Sequence, residues 1–147
     1  MNELKIDTAG TLTKDPELTF TPQGKAVTRF SIAVNSSYRN DKAEWIQRPT
    51  VFLDCVVWNE QAERLAGACN TGDRVIISGQ LVDASFEAQQ GERAGQMIRR
   101  QEVLVDEVAA SFRFASLQVT RIRRKKAEAA LSLPLPLLSR ASPALER

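Results

Sequence analysis

The chain has 147 residues, 43% of them hydrophobic and 26% charged, the ordinary make-up of one globular domain with a real core and room for a tail. It contains no histidine, which excludes histidine acid–base catalysis and Ser-His-Asp chemistry. Its two cysteines, Cys55 and Cys69, form no CxxC pair, so no zinc ligand set is present and both read as small buried apolar residues of a reducing compartment. The formal net charge of +2 is uneven. After residue 120, Arg121, Arg123, Arg124, Lys125, Lys126, Arg140 and Arg147 meet only Glu128 and Glu146, which leaves the rest of the chain mildly acidic. No apolar run approaches a membrane span and the start MNELKIDTAG has no apolar signal core, so a cytoplasmic protein is expected.

Residues 4–12 (LKIDTAGTL) alternate apolar and polar, which predicts a half-buried strand with Gly10 at a bulge or bend. Asp15-Pro16 marks a turn, and Thr19 to Pro22 with Gly24 punctuate the chain before the next strand. Residues 26–34 (AVTRFSIAV) form that strand, with Val27, Phe30, Ile32 and Val34 as core candidates. Residues 35–49 read as a polar loop. Residues 50–58 (TVFLDCVVW) form a third strand, with Val51, Leu53, Cys55 and Val57 on a core face and Phe52, Asp54, Val56 and Trp58 toward solvent. Asn59 reads as the N-cap of a short helix carrying Ala62, Leu65, Ala66 and Cys69 at helical spacing and closed by Asn70-Thr71-Gly72. Residues 74–82 are a fourth strand with Gly79 inside it. A hairpin tip falls near Gln90 to Gly95, and 98–108 return as a fifth strand. Residues 111–119 either extend the sheet or pack against another subunit. Beyond residue 120 the basic, Pro/Leu-rich segment 121–147 reads as a disordered tail.

The order strand, strand, strand, helix, strand, strand is the plan of an all-β, five-stranded OB-fold barrel, which binds oligonucleotides or oligosaccharides. The bends at Gly10 and Gly79 suit barrel closure. Aromatic residues are only 6% of the chain, so Tyr38, Phe52, Trp58 and Phe86, each near a strand and beside polar or basic neighbours, stand out as a stacking set for single-stranded nucleic acid. Arg29, Arg39, Lys42, Arg48, Arg93, Arg99 and Arg100 are the matching candidates for phosphate contact, grouped in loop 35–49 and on hairpin 86–100. Phe20, Phe30, Phe112 and Phe114 read as core or subunit contacts, and Trp45 as either a loop anchor or a DNA contact.

The stretches GTLTKDPEL (10–18), FTPQGKAVTRFSIAVN (20–35), FLDCVVWNEQAERLA (52–66), GDRVIISGQLVDASFE (72–87) and EVLVDEVAASFRFA (102–115) resemble the bacterial single-stranded DNA-binding protein family over roughly residues 4–120. FTPQGKAV and EVLVDEV look most like actinobacterial members. The resemblance implies a homotetramer of OB-folds that coats single-stranded DNA in replication, recombination and repair, nucleoid-associated, without enzymatic activity, cofactor or membrane. It puts aromatic stacking positions at Tyr38, Phe52, Trp58 and Phe86. Two departures stand out. Val82, Asp83 and Ala84 are not basic where many relatives carry Lys or Arg. The end ASPALER is neutral where the family usually closes on an acidic tip, which argues against recruitment of replication and repair proteins by this chain. The rival readings are an OB-fold accessory or partner-binding module of primosome type and an RNA-binding protein. A nuclease would need clustered carboxylates, whereas Asp54, Asp73, Asp83 and Asp106-Glu107 are scattered.

Overall fold

A computed structural model describes residues 2–122. The elements are β1 (Lys5–Leu12), β2 (Glu17–Phe20), β3 (Ala26–Val34), β4 (Ser37–Arg39), β5 (Trp45–Gln47), β6 (Val51–Trp58), α1 (Asn59–Ala68), β7 (Arg74–Asp83), β8 (Phe86–Glu87), β9 (Met97–Ile98) and β10 (Gln101–Ala110). Five long strands pair in the order β1-β7-β10-β6-β3, and β1 closes the ring by pairing with β3 through Thr11↔Ala33 and Leu12↔Ile32. All pairings are antiparallel except β6 with β10, which run parallel. This is the closed five-stranded OB barrel, as the element order predicts.

Closure requires two close backbone approaches. Gly10 lies where β1 leaves β7 for β3, and a Cβ there would stand 2.8 Å from the Ala33 carbonyl oxygen. A Cβ at Gly79 would overlap the Leu104 carbonyl, beside the bulge that puts Asp106 between Val105 and Glu107. The bulged segment is clamped by the helix: Gln61 donates from Nε2 to the Asp106 carbonyl at 2.8 Å and accepts from the Val108 amide at 3.0 Å. On the opposite side the buried Thr28 hydroxyl donates to the Ala62 carbonyl at 2.7 Å. Ala62, Leu65 and Cys69 then close the barrel core, which also holds Leu12, Phe30, Ile32, Cys55, Val57, Val75, Ile77 and Val103.

Several expectations need correction. Glu17–Phe20 is a strand on the edge of β3, and loop 35–49 carries the two-stranded arm β4–β5. Asn59 is the first residue of α1, with a left-handed φ of 65°, and its side chain caps nothing. Trp58 holds the N-cap position. Short polar turns and a β-branched-poor pair of strands give little period-2 signal, which is why these elements read as loop. On β6, Val51 is exposed at the strand's free end, and Val56 is buried on the outward face, outside the core cluster. Val27 is likewise buried there, directly opposite Trp58. Residues 111–119 form no strand: the Ser111 amide makes a last bond to the Arg74 carbonyl, and the Arg74 guanidinium lies 5.8 Å from the Phe114 ring centroid. Phe30 is core, whereas Phe20, Phe112 and Phe114 are exposed in the single chain. A compact unit runs from Met1 to Ser116, and Leu117–Arg147 forms a second segment whose described residues, 117–122, hold no helix or strand. The tail expected from residue 121 lies almost wholly outside the described residues.

Candidate nucleic-acid interface

The outward side of β3, β6 and β10 is a single surface set by strand register. Pairing puts Trp58 opposite Val27, Val56 opposite Arg29 and Leu104, Asp54 opposite Ser31, and Phe52 opposite Ala33. Phe52 and Trp58 stand six residues apart on the same face, which at about 3.3 Å per residue separates them by roughly 20 Å. Both rings are accessible, 67% exposed at Phe52 and 36% at Trp58.

Two arms frame one end of this surface, and the topology says which end. The β4–β5 arm leads into β6 and the β8–β9 arm leads into β10. Because β6 and β10 are parallel neighbours, both arms leave the same end of the barrel, the one at which Phe52 sits. The first arm carries Tyr38, 42% exposed, with the Arg48 guanidinium 4.7 Å from the ring centroid. It also carries Trp45, 68% exposed, with Arg39 at 5.7 Å over its ring. A guanidinium over one face of a ring leaves the other face open to a base. Lys42 lies in the arm's turn, where Asn40 Oδ1 accepts from the amides of Lys42 and Glu44 at 2.9 Å each. The second arm carries Phe86, 48% exposed and paired with Ile98, and Arg93 in its tip. Arg99 and Arg100 stand at its root.

Two of the seven cations are already engaged. Arg29 makes a 3.0 Å ion pair with Glu102, whose side chain is only 14% exposed. Arg100 stands 3.5 Å from Asp54, which also accepts from the Ser31 hydroxyl at 3.0 Å. Among the described residues, Arg39, Lys42, Arg48, Arg93 and Arg99 make no ion pair within 4.0 Å of a carboxylate oxygen. Asp83, at the non-basic stretch noted above, is held below the usual carboxylate range by hydrogen bonds from the Ser85 hydroxyl and amide, with a smaller pull from Arg99.

The structure thus brings Phe52, Trp58, Arg29 and Arg100 onto one barrel face and puts the other candidates on the two arms. Lys25 is a further cation beside this surface, one the sequence pattern did not single out. It lines a recess of about 350 Å³ beside Trp58 with Thr21, Gln23 and Asn59. The signal was hidden because the β2–β3 turn meets Trp58 only through the barrel's register. Trp45 is an exposed residue of the β4–β5 arm, paired with Arg39 across it. Among the described residues no cluster of His, Cys, Asp or Glu is arranged to hold a metal ion.

An OB barrel with an exposed aromatic and cationic surface fits a class of nucleic-acid-binding proteins. The comparisons with known proteins say which. Residues 1–111 match the model of the single-strand binding protein family, and the chain belongs to that family. It is 39% identical over 132 residues to a single-stranded DNA-binding protein of Mycobacterium tuberculosis, covering 89% of this chain and 78% of the relative. It is 41% identical over 123 residues to one from Paenarthrobacter nicotinovorans, covering 83% and 70%. Among solved structures, a small single-stranded DNA-binding protein from Streptomyces coelicolor aligns with a TM-score of 0.61 at 22% identity, over 76% of this chain and 97% of the other, and supports the fold.

Proposed function

We propose that this chain binds single-stranded DNA with little sequence preference, in replication, recombination and repair. Bases stack on Phe52 and Trp58 along the barrel face and on Tyr38 and Phe86 on the arms. Phosphates meet Arg39, Lys42, Arg48, Arg93 and Arg99, and reach Arg29 and Arg100 in exchange for their carboxylates. The observation that carries this reading is the pair of outward rings on β6 in a chain whose relatives are named single-stranded DNA-binding proteins. Stacking suits sequence-tolerant binding because every base offers a π-face.

The working unit in this proposal is a homotetramer in the cytoplasm, associated with the nucleoid. Exposed apolar residues on the single chain, Phe20, Ile76, Phe112 and Phe114, support burial against further copies. No helix among the described residues is long and apolar enough to cross a membrane. Sedimentation equilibrium reads the assembly directly, and a monomer at micromolar concentration would remove that part of the proposal.

The binding test is tryptophan fluorescence during titration with oligo(dT), at low and high salt, with duplex DNA as control. Quenching by the single strand alone is expected, since both tryptophans lie in the proposed interface. Equal responses to duplex and single strand, or none to either, would defeat the reading.

A further inference from the structure

Between Phe52 and Trp58 the outward face of β6 carries a carboxylate, Asp54, and its placement is specific. Asp54 is two residues from Phe52 on the same strand face, about 7 Å along the strand. A base stacked on Phe52 can therefore present its edge to Asp54. The carboxylate is held in place from two sides, by the Ser31 hydroxyl at 3.0 Å on Oδ1 and by Arg100 at 3.5 Å on Oδ2. A carboxylate offers about four lone-pair sites, so these two partners leave capacity for a third. Its side chain is 49% exposed, whereas the neighbouring Glu102 is 14% exposed and taken up by Arg29. Asp54 is thus the acidic group of this face that a bound strand can reach.

We propose that Asp54 forms a base-reading subsite on the outward face of β6, accepting a hydrogen bond from the exocyclic amino group of a stacked base, so that binding is biased toward cytosine over thymine. The inference rests on the single-stranded DNA reading above. The chemistry is one of sign. An ionised carboxylate only accepts, and cytosine presents an N4 amino donor where thymine presents the O4 acceptor. Cytosine gains a charge-assisted bond. Thymine brings an oxygen against an oxygen. The bias is one of base composition within otherwise tolerant binding, because the rings supply the larger energy to every base.

The test compares Kd for oligo(dC) and oligo(dT) of equal length in the full chain, in Asp54→Asn and in Asp54→Ala. Intrinsic differences in stacking and strand flexibility act equally on all three proteins, so the readout is the Kd ratio, dT over dC. It should be ~3–10-fold larger in wild type than in either variant, the effect expected of one exposed charge-assisted bond. Asparagine turns to satisfy either base, and alanine satisfies neither. A second arm needs no variant: an oligomer of N4,N4-dimethylcytosine keeps the ring but has no N–H to give, and should lose the advantage of oligo(dC) on the wild-type protein. The same ratio in all three proteins would overturn the proposal, even if both variants bind every strand more tightly through loss of a negative charge. Undiminished binding of the dimethylated strand would overturn it as well. Failure of the wild-type chain to bind any single strand would be a different result, ending the DNA-binding reading itself.

Discussion

Phe52→Ala and Trp58→Leu together test whether the β6 face is a stacking platform. Base–aromatic stacking contributes ~1–3 kcal/mol per base, so each change should weaken oligo(dT) binding roughly 5- to 150-fold. The substitutions differ because the rings are buried differently. Phe52 is 67% exposed and faces only Ala33, so alanine there should cost within about 1 kcal/mol of stability. Trp58 is 36% exposed and lies against Val27, itself 6% exposed. Losing roughly 150 Å² of covered ring area at about 25 cal/mol per Å² would remove up to ~4 kcal/mol. Alanine at Trp58 would therefore confound binding with unfolding. Leucine keeps much of the apolar cover over Val27 but has no π-face. Anisotropy of labelled oligo(dT), with thermal melting of each variant, reads both effects. Wild-type affinity in both variants with unchanged melting would refute the platform.

Gly79→Ala should cost ~3 kcal/mol or more, because its Cβ meets the Leu104 carbonyl in the closed barrel. That corresponds to a fall of about 10 °C in melting temperature, while Gly67→Ala, in open space on α1, should stabilise by up to about 1 kcal/mol. Asp15 accepts from the Thr71 amide and hydroxyl at 2.8 Å each, and these bonds hold its carboxyl below the usual range. With the folded value below the unfolded value of about 3.9, this stabilisation is present above that pH and is lost as pH falls through the folded value. Urea midpoints at pH 5 and pH 3 should therefore fall further for the wild type than for Asp15→Asn, and equal falls would contradict the assignment. Burial, with help from Asp54 and Glu102, pushes the Cys55 thiol up to about 12, and burial also raises Cys69. Neither should react with a disulfide reagent at pH 8 faster than the protein opens, which stopped-flow labelling against urea concentration will show. Glu102→Gln should tighten oligo(dT) binding by up to about 5-fold, because Arg29 no longer has to leave a carboxylate to meet phosphate. Unchanged affinity would mean that Arg29 meets no phosphate.

Much of the barrel is written in period-2 alternation. The five long strands and the helix are legible because each has one face in the core, and Phe30, Ile32, Cys55, Val57, Leu65 and Cys69 carry that signal. The site is legible at Phe52 and Trp58 for the same reason, since the face that is not core must be outward. Alternation fails where burial comes from across the sheet. Val27 and Val56 are covered on the outer face by cross-strand neighbours, and the pattern of one strand holds no record of them. It fails again for β2 and the β4–β5 arm, whose residues are nearly all exposed and so have no hydrophobic period to show. Ion pairs are invisible for a third reason. Arg29 and Glu102 are separated by 73 positions and meet only because β6 lies between β3 and β10.

Those pairs change what the candidate cations mean. Counted along the chain, Arg29 and Arg100 are two free positive charges. In the fold each answers a carboxylate on the surface proposed to receive a polyanion. A lone Asp54 or Glu102 there would repel phosphate at close range, where screening by salt gives little relief. The arginines cancel that repulsion before any strand arrives, which leaves the floor between Phe52 and Trp58 close to neutral. The unpaired cations stand instead on the arms, at Arg39, Lys42, Arg48, Arg93 and Arg99. In the proposed reading the arms draw the backbone in by charge and add the rings of Tyr38 and Phe86, while Phe52 and Trp58 stack bases on the rigid strands, where their spacing is fixed by the barrel's register.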